Sequence, residues 1–188
     1  MPILVLPAVA ALLVTHGGIG QNNGGATRLL TVFGGQSYEI LGSEDVRQAW
    51  GMGIQWVRSE RALRFKGFMA DLVMEGYFLD STSKGASQMP PNRTLAFGGL
   101  AMARYKWPVK NDVRGYLEIG WGLQYTPETS VDLDSNINST PVLGFGASIQ
   151  RSGHEFLVGL RYLHISNAGI RGNNQGQNGL NLLFGMSF

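Results

Sequence analysis

Large apolar residues and small or polar residues alternate along most of this chain. Between residues 46 and 57 the even positions Trp50, Met52, Ile54 and Trp56 are apolar, while Arg47, Gly51, Gly53 and Gln55 occupy the odd ones. A period of two sends successive side chains to opposite faces, so the segment reads as a strand with one greasy face. The segregation recurs. Phe68, Ala70, Leu72 and Met74 oppose Asp71 and Glu75, and Leu117, Ile119, Trp121 and Leu123 oppose Glu118, Gly120, Gly122 and Gln124. Leu143, Phe145, Ala147 and Ile149 oppose Gly144, Gly146 and Ser148, and Leu180, Leu182, Phe184 and Met186 oppose Asn181, Gly185 and Ser187. The pattern predicts eight strands, over 28–33 (an extension to Leu41 stays open), 46–57, 67–80, 93–107, 113–125, 140–149, 155–165 and 179–188. Most are as long as a tilted membrane strand requires, about 9–11 residues.

The polar parity collects Arg47, Arg104 and Arg161 on one side and Asp71, Glu75 and Glu118 on the other. Three positive and three negative charges suit a narrow lumen in which ions pair. The larger residues are the apolar ones, so the apolar face is expected outward, against lipid. The fold expected is therefore all-β, an eight-stranded antiparallel transmembrane β-barrel of a bacterial outer membrane. Eight strands leave an interior that side chains just fill, so no open pore is expected. An even strand number brings both termini to the periplasmic end. The short links 58–66, 108–112 and 150–154 then lie there, and the longer links 34–45, 81–92, 126–139 and 167–178 face outward, as outer-membrane barrels prefer.

Composition agrees. Charged residues are 15% of the chain and Gly numbers 27, against about 25% charged residues in soluble domains. The longest apolar run, residues 2–15, is too short for a membrane helix, which needs about 20 residues. A formal charge of +2 leaves no footprint for nucleic acid. Cysteine is absent, and His16, His154 and His164 are far apart, so neither a disulfide nor a metal or other cofactor site is expected. Residues 1–25 read as an export signal with an apolar stretch but no basic start, which leaves 26–188 as the barrel. Trp50, Trp56, Trp107 and Trp121 read as interface anchors.

Candidate chemistry sits near the end of the seventh segment. Phe156, Val158, Leu160 and Tyr162 share one parity, and His164 and Ser166 continue it. A base and a nucleophile thus lie about 7 Å apart on a lipid-facing stripe. Polar groups there are costly to desolvate unless something polar meets them, which points to chemistry on a lipid. A serine hydroxyl attacks only when a base takes its proton, and histidine is the usual base at neutral pH. Asn167 and the Gly169 amide follow at once and are candidate donors to an oxyanion. The matching substrate is an ester near the headgroup boundary.

The run His164-Ile165-Ser166-Asn167-Ala168-Gly169, followed by Asn174, Gly176 and a last strand ending in Phe188, resembles the outer-membrane lipid A 3-O-deacylase family. The resemblance is strong over roughly the last 30 residues and architectural elsewhere. It implies a serine esterase that removes the 3-hydroxyacyl chain at position 3 of lipid A, with His164 as base, Ser166 as nucleophile, and Asn167 and nearby backbone at the oxyanion. The implied partner is lipid A of lipopolysaccharide in the outer leaflet, with a homodimer left open. Arg171 is then placed to meet lipid A phosphates, as are Lys84 and Arg93. The family carries a Glu fourteen residues after the His. Here that position is Asn178, and no Asp or Glu follows Glu155. Asn178 shares the parity of His164 and is expected to orient it. An amide stabilises an imidazolium poorly, so a carboxylate at 178 is expected to preserve or raise the rate. The missing acid also supports an alternative, a non-enzymatic structural or adhesive barrel with a decayed site.

Overall fold

A computed structural model of the chain describes residues 26–188, apart from 61–62, 64, 67 and 86–91. The stretch read as an export signal lies outside the described residues. Nine strands follow one another: β1 (Thr27–Tyr38), β2 (Arg47–Ser59), β3 (Met69–Ser83), β4 (Arg93–Lys110), β5 (Val113–Tyr125), β6 (Ile137–Ser139), β7 (Val142–Arg151), β8 (His154–Ile165) and β9 (Gln177–Ser187). Neighbours pair antiparallel in the order β4-β3-β2-β1-β9-β8-β7-β5, and β4 pairs with β5 to close the barrel. Among the described residues no helix is long and apolar enough to cross a membrane, and the strands make the crossing.

Two departures from the expected strands have local causes. Segment 140–149 is extended outward by β6, which keeps the register of β7: Leu123 lies opposite Ser139 and Gly120 opposite Val142. The interruption falls at Thr140–Pro141, where proline has no N–H to give to a ladder. The first segment, read as 28–33 with an extension to Leu41 left open, runs on to Tyr38. Gly34, Gly35 and Gln36 blur its alternation, yet they pair on both sides, with Trp50, Ala49 and Gln48 and with Leu182, Asn181 and Leu180. A closed sheet overrides weak local preference.

Side-chain orientation follows the apolar parity. Trp121, Phe145 and Leu182 are 53%, 55% and 54% exposed on the outer wall, whereas Arg104 and Glu118 are fully buried in the lumen. There Arg104 donates from Nε and Nη2 to Glu118 at 3.1 and 2.9 Å, and Arg161 bridges Glu118 at 2.9 Å and Glu75 at 2.8 Å. Gln55 links Arg104 to Glu75, and Thr31 caps the second Glu75 oxygen. Every carboxylate oxygen of Glu75 and Glu118 thus accepts a hydrogen bond, which offsets a desolvation cost of several kcal/mol per ion. Gly144 leaves the room: a Cβ there would sit 2.7 Å from the Glu118 carboxylate. Leu29, Phe33, Val73 and Leu183 pack the lumen around this cluster.

Two expected members pair elsewhere. Arg47 meets Asp45 at 2.7 Å, at the outer mouth, because the longer link 39–46 folds back over its own strand. Asp71 meets Lys106 at 2.9 Å, and Lys106 also holds Glu155 at 2.6 Å. Lys106 lies two residues from Arg104 on the same face, so its parity already placed it inside.

Candidate active site

Strand β8 carries His164 outward near its outer end, and Asn178, the second residue of β9, lies directly opposite it in register. Residues directly opposite in an antiparallel pair share a face, so the two side chains meet there. His164 Nδ1 lies 2.8 Å from Asn178 Oδ1. The Asn178 amide has a fixed sense: its Nδ2 donates to the Ile40 carbonyl at 2.9 Å, and its Oδ1 also accepts the Tyr162 hydroxyl at 2.5 Å. An oxygen facing Nδ1 requires the proton on Nδ1 and leaves Nε2 with a free lone pair. The sheet therefore presents His164 in the tautomer that a general base needs.

Ser166 follows one residue beyond β8. It bridges to β6, with Ser139 N–H donating to the Ser166 carbonyl and Ser166 N–H donating to the Ser139 carbonyl. The Ser166 hydroxyl stands 3.0 Å from the Ser139 hydroxyl. No hydrogen bond joins His164 to Ser166, although both lie on one face two residues apart. Gly176 supports the imidazole: a Cβ there would lie 2.7 Å from Cε1, so any larger residue would push the ring aside.

Beyond Ser166 the chain turns. Ile170 N–H donates to the Asn167 carbonyl, with Ala168 and Gly169 at φ of 55° and 72°. The Asn167 side chain knits this turn. Its Nδ2 donates to the carbonyls of Arg171 and Asn173 at 2.5 and 2.9 Å, and its Oδ1 accepts the Gly169 N–H at 2.9 Å. The Asn167 N–H itself goes to Asn174 Oδ1 at 2.8 Å. Both expected oxyanion donors are thus engaged within the loop, while the Ala168 N–H between them has no partner among the described residues. Arg171 is exposed beside them, as are Lys84 and Arg93, and Arg93 is answered by Asp80.

Sequence reasoning did not foresee several supports. Asp132 is fully buried and accepts from Ser43 Oγ, Glu44 N and Asp45 N at 2.9, 2.8 and 3.1 Å. Its carbonyl takes the N–H groups of Gln175 and Gly176. One residue thus ties the link that carries Ile40 to the loop that carries Gly176. Tyr162 was legible as a parity-mate of His164; Ser139, Asp132 and the Ile40 carbonyl left no signal, because their roles arise only when loops meet. Tyr38, Ile40, Leu41 and Ile170 are 45%, 46%, 78% and 87% exposed and form an apolar surround for the polar cluster. Among the described residues no group of histidines and carboxylates could hold a metal.

The model of the family described as lipid A 3-O-deacylase (PagL) matches residues 43–187 of this chain. Among solved structures, the fold is similar to that of the outer membrane enzyme PagL, at TM-score 0.66 and 17% identity over 84% of this chain and 97% of that one. It is also similar to Neisserial surface protein A, at TM-score 0.57 and 14% identity over 86% of this chain and 96% of that one. No match was found among curated proteins.

Proposed function

We propose that this chain, a bacterial outer-membrane barrel that belongs to the lipid A 3-O-deacylase (PagL) family, is an esterase acting on the acyl ester at position 3 of lipid A. The observation that carries the reading is the His164–Asn178 hydrogen bond on the lipid-facing wall, which leaves Nε2 with a free lone pair two residues before Ser166 on the same parity.

In this reading Ser166 Oγ turns from Ser139 toward Nε2, the kind of contact that tightens only when substrate is bound. Oγ attacks the ester carbonyl carbon while its proton passes to Nε2. The tetrahedral intermediate collapses, the bond to the sugar oxygen breaks, and His164 returns the proton to that oxygen. Water then hydrolyses the acyl-Ser166 ester, with His164 again taking and giving the proton. Asn167 and the Gly169 amide serve the oxyanion once the loop yields their present bonds, and the free Ala168 N–H points to the same loop for this role. Arg171 meets a lipid A phosphate. Asn178 sets the tautomer and, being neutral, leaves part of the imidazolium charge unanswered. The apolar surround seats the site in the outer leaflet, so substrate arrives laterally.

The test is release of a 3-hydroxy fatty acid from lipid A in mixed micelles by the purified barrel and by Ser166→Ala. The reading expects release by the parent and loss of about a thousandfold or more in the variant. A barrel that is folded but inert toward every acylated lipid A would favour the structural or adhesive alternative.

A further inference from the structure

The periplasmic rim of the barrel carries an excess of cations that neither the lumen nor the candidate active site uses. Among the described residues at that end, Arg28, Arg58, Lys66, Lys110, Arg114 and Arg151 face only the carboxylates Glu60 and Asp112, because Asp71 and Glu155 are taken by Lys106. None of the six cations has a carboxylate partner among the described residues. Arg28 has the parity of Leu30, Arg58 that of Trp56 and Arg151 that of Ile149, so all three stand on the lipid-facing wall, and all three are exposed. Arg28 lies opposite Trp56 in register, and Lys66 stands 5.3 Å over the Phe65 ring, beside the edge-to-face pair of Phe68 and Trp107. Aromatic rings of this kind mark the boundary between acyl chains and headgroups. The cations therefore stand at the depth of lipid phosphates. The outer rim lacks this excess: Arg93 is answered by Asp80 there, and Glu39, Glu44, Glu128 and Asp134 are exposed.

The geometry points to a collar, formed by Arg28, Arg58, Lys66 and Arg151, that binds anionic phospholipid headgroups of the phosphatidylglycerol class in the inner leaflet. Guanidinium groups bind phosphate oxygens in pairs, and cations at a membrane surface draw anionic lipid. This inference is independent of the catalytic reading.

Native mass spectrometry of the purified full chain, titrated with equal amounts of phosphatidylglycerol and phosphatidylcholine, tests it. The parent is expected to retain phosphatidylglycerol over phosphatidylcholine by roughly tenfold, since one basic group near an anionic surface contributes roughly fivefold. The preference should weaken as salt rises. The combined variant Arg28→Gln, Arg58→Gln, Lys66→Gln and Arg151→Gln, its folding verified by heat-dependent gel mobility, should fall to near parity, while Lys84→Gln at the outer rim keeps the preference. Equal retention of both lipids by the parent would overturn the collar. So would an unchanged preference in the fourfold variant, or a loss as large in Lys84→Gln. Binding of an acidic periplasmic protein without headgroup preference would also reject it.

Discussion

In the lumen, Glu75 and Glu118 are met by guanidinium groups of Arg104 and Arg161; on the lipid face, His164, Ser166, Asn178, Tyr162 and Ser139 meet with no carboxylate among them. Both clusters are polar, yet the first is fully buried and the second half-buried, and they are built differently. A lumen of eight strands brings opposite charges within reach across its width, so ions can be buried in pairs. The outer wall has lipid in front of it and nothing to answer a charge. An amide suits that wall, because it can accept from His164 and Tyr162 with its oxygen while donating to Ile40 with its nitrogen. The family's acid is replaced where an acid would face the Ile40 carbonyl. Charge in the lumen pairs inside the barrel, and the wall cluster that carries the proposed chemistry is neutral.

That division can be broken most sharply at His164. His164→Ala should lower kcat by about four orders of magnitude, about 5 kcal/mol in barrier, and leave the unfolding midpoint in detergent where it was. A matching loss of stability would mean that the wall cluster also holds the fold. Glu118→Ala inverts the test. Two guanidinium groups lose a partner, so unfolding free energy should fall by about 3–5 kcal/mol, while the folded fraction keeps its rate within about twofold.

Substitutions at Asn178 sharpen the comparison further. Asn178→Ala strips His164 of its acceptor, a loss of about 1–3 kcal/mol, or roughly 5- to 150-fold in kcat. Asn178→Asp keeps an acceptor for Nδ1 but turns a second oxygen on the Ile40 carbonyl. Its rate should lie between those of the parent and Asn178→Ala, with a lowered unfolding midpoint. The expectation from sequence that a carboxylate at 178 preserves or raises the rate took no account of Ile40, and a faster Asn178→Asp or Asn178→Glu enzyme would restore it. The smallest effect is expected for Tyr162→Phe, which removes one of two hydrogen bonds on Asn178 Oδ1: about fivefold or less in kcat, with KM unchanged.

How much of this was legible beforehand depends on range. The alternation placed the strands and their outward faces, because each strand reports its own two sides. It also placed His164 and Asn178 on one face, since parity carries across a register. It failed where partners come from distant loops. Nothing in the order of residues tells that Asp132 gathers Ser43, Glu44 and Asp45, or that Ser139 stands behind Ser166. Pro141 hid the continuation of β7 into β6, and with it the support of Ser166. In the lumen, parity gave the inventory of charges but not the pairing, which depends on how far each long side chain reaches. Arg47 pairs instead with Asp45 of a link, which no strand's parity reports, and Asp71 with Lys106.

The central claim is that the wall cluster removes the acyl chain at position 3 of lipid A through Ser166. Mass spectrometry of lipid A from cells expressing the chain, beside cells expressing Ser166→Ala at equal barrel abundance, tests it most directly. The account predicts loss of one ester-linked 3-hydroxyacyl chain with the parent and intact lipid A with the variant. Unchanged lipid A with the parent, or the same loss with Ser166→Ala, would contradict it.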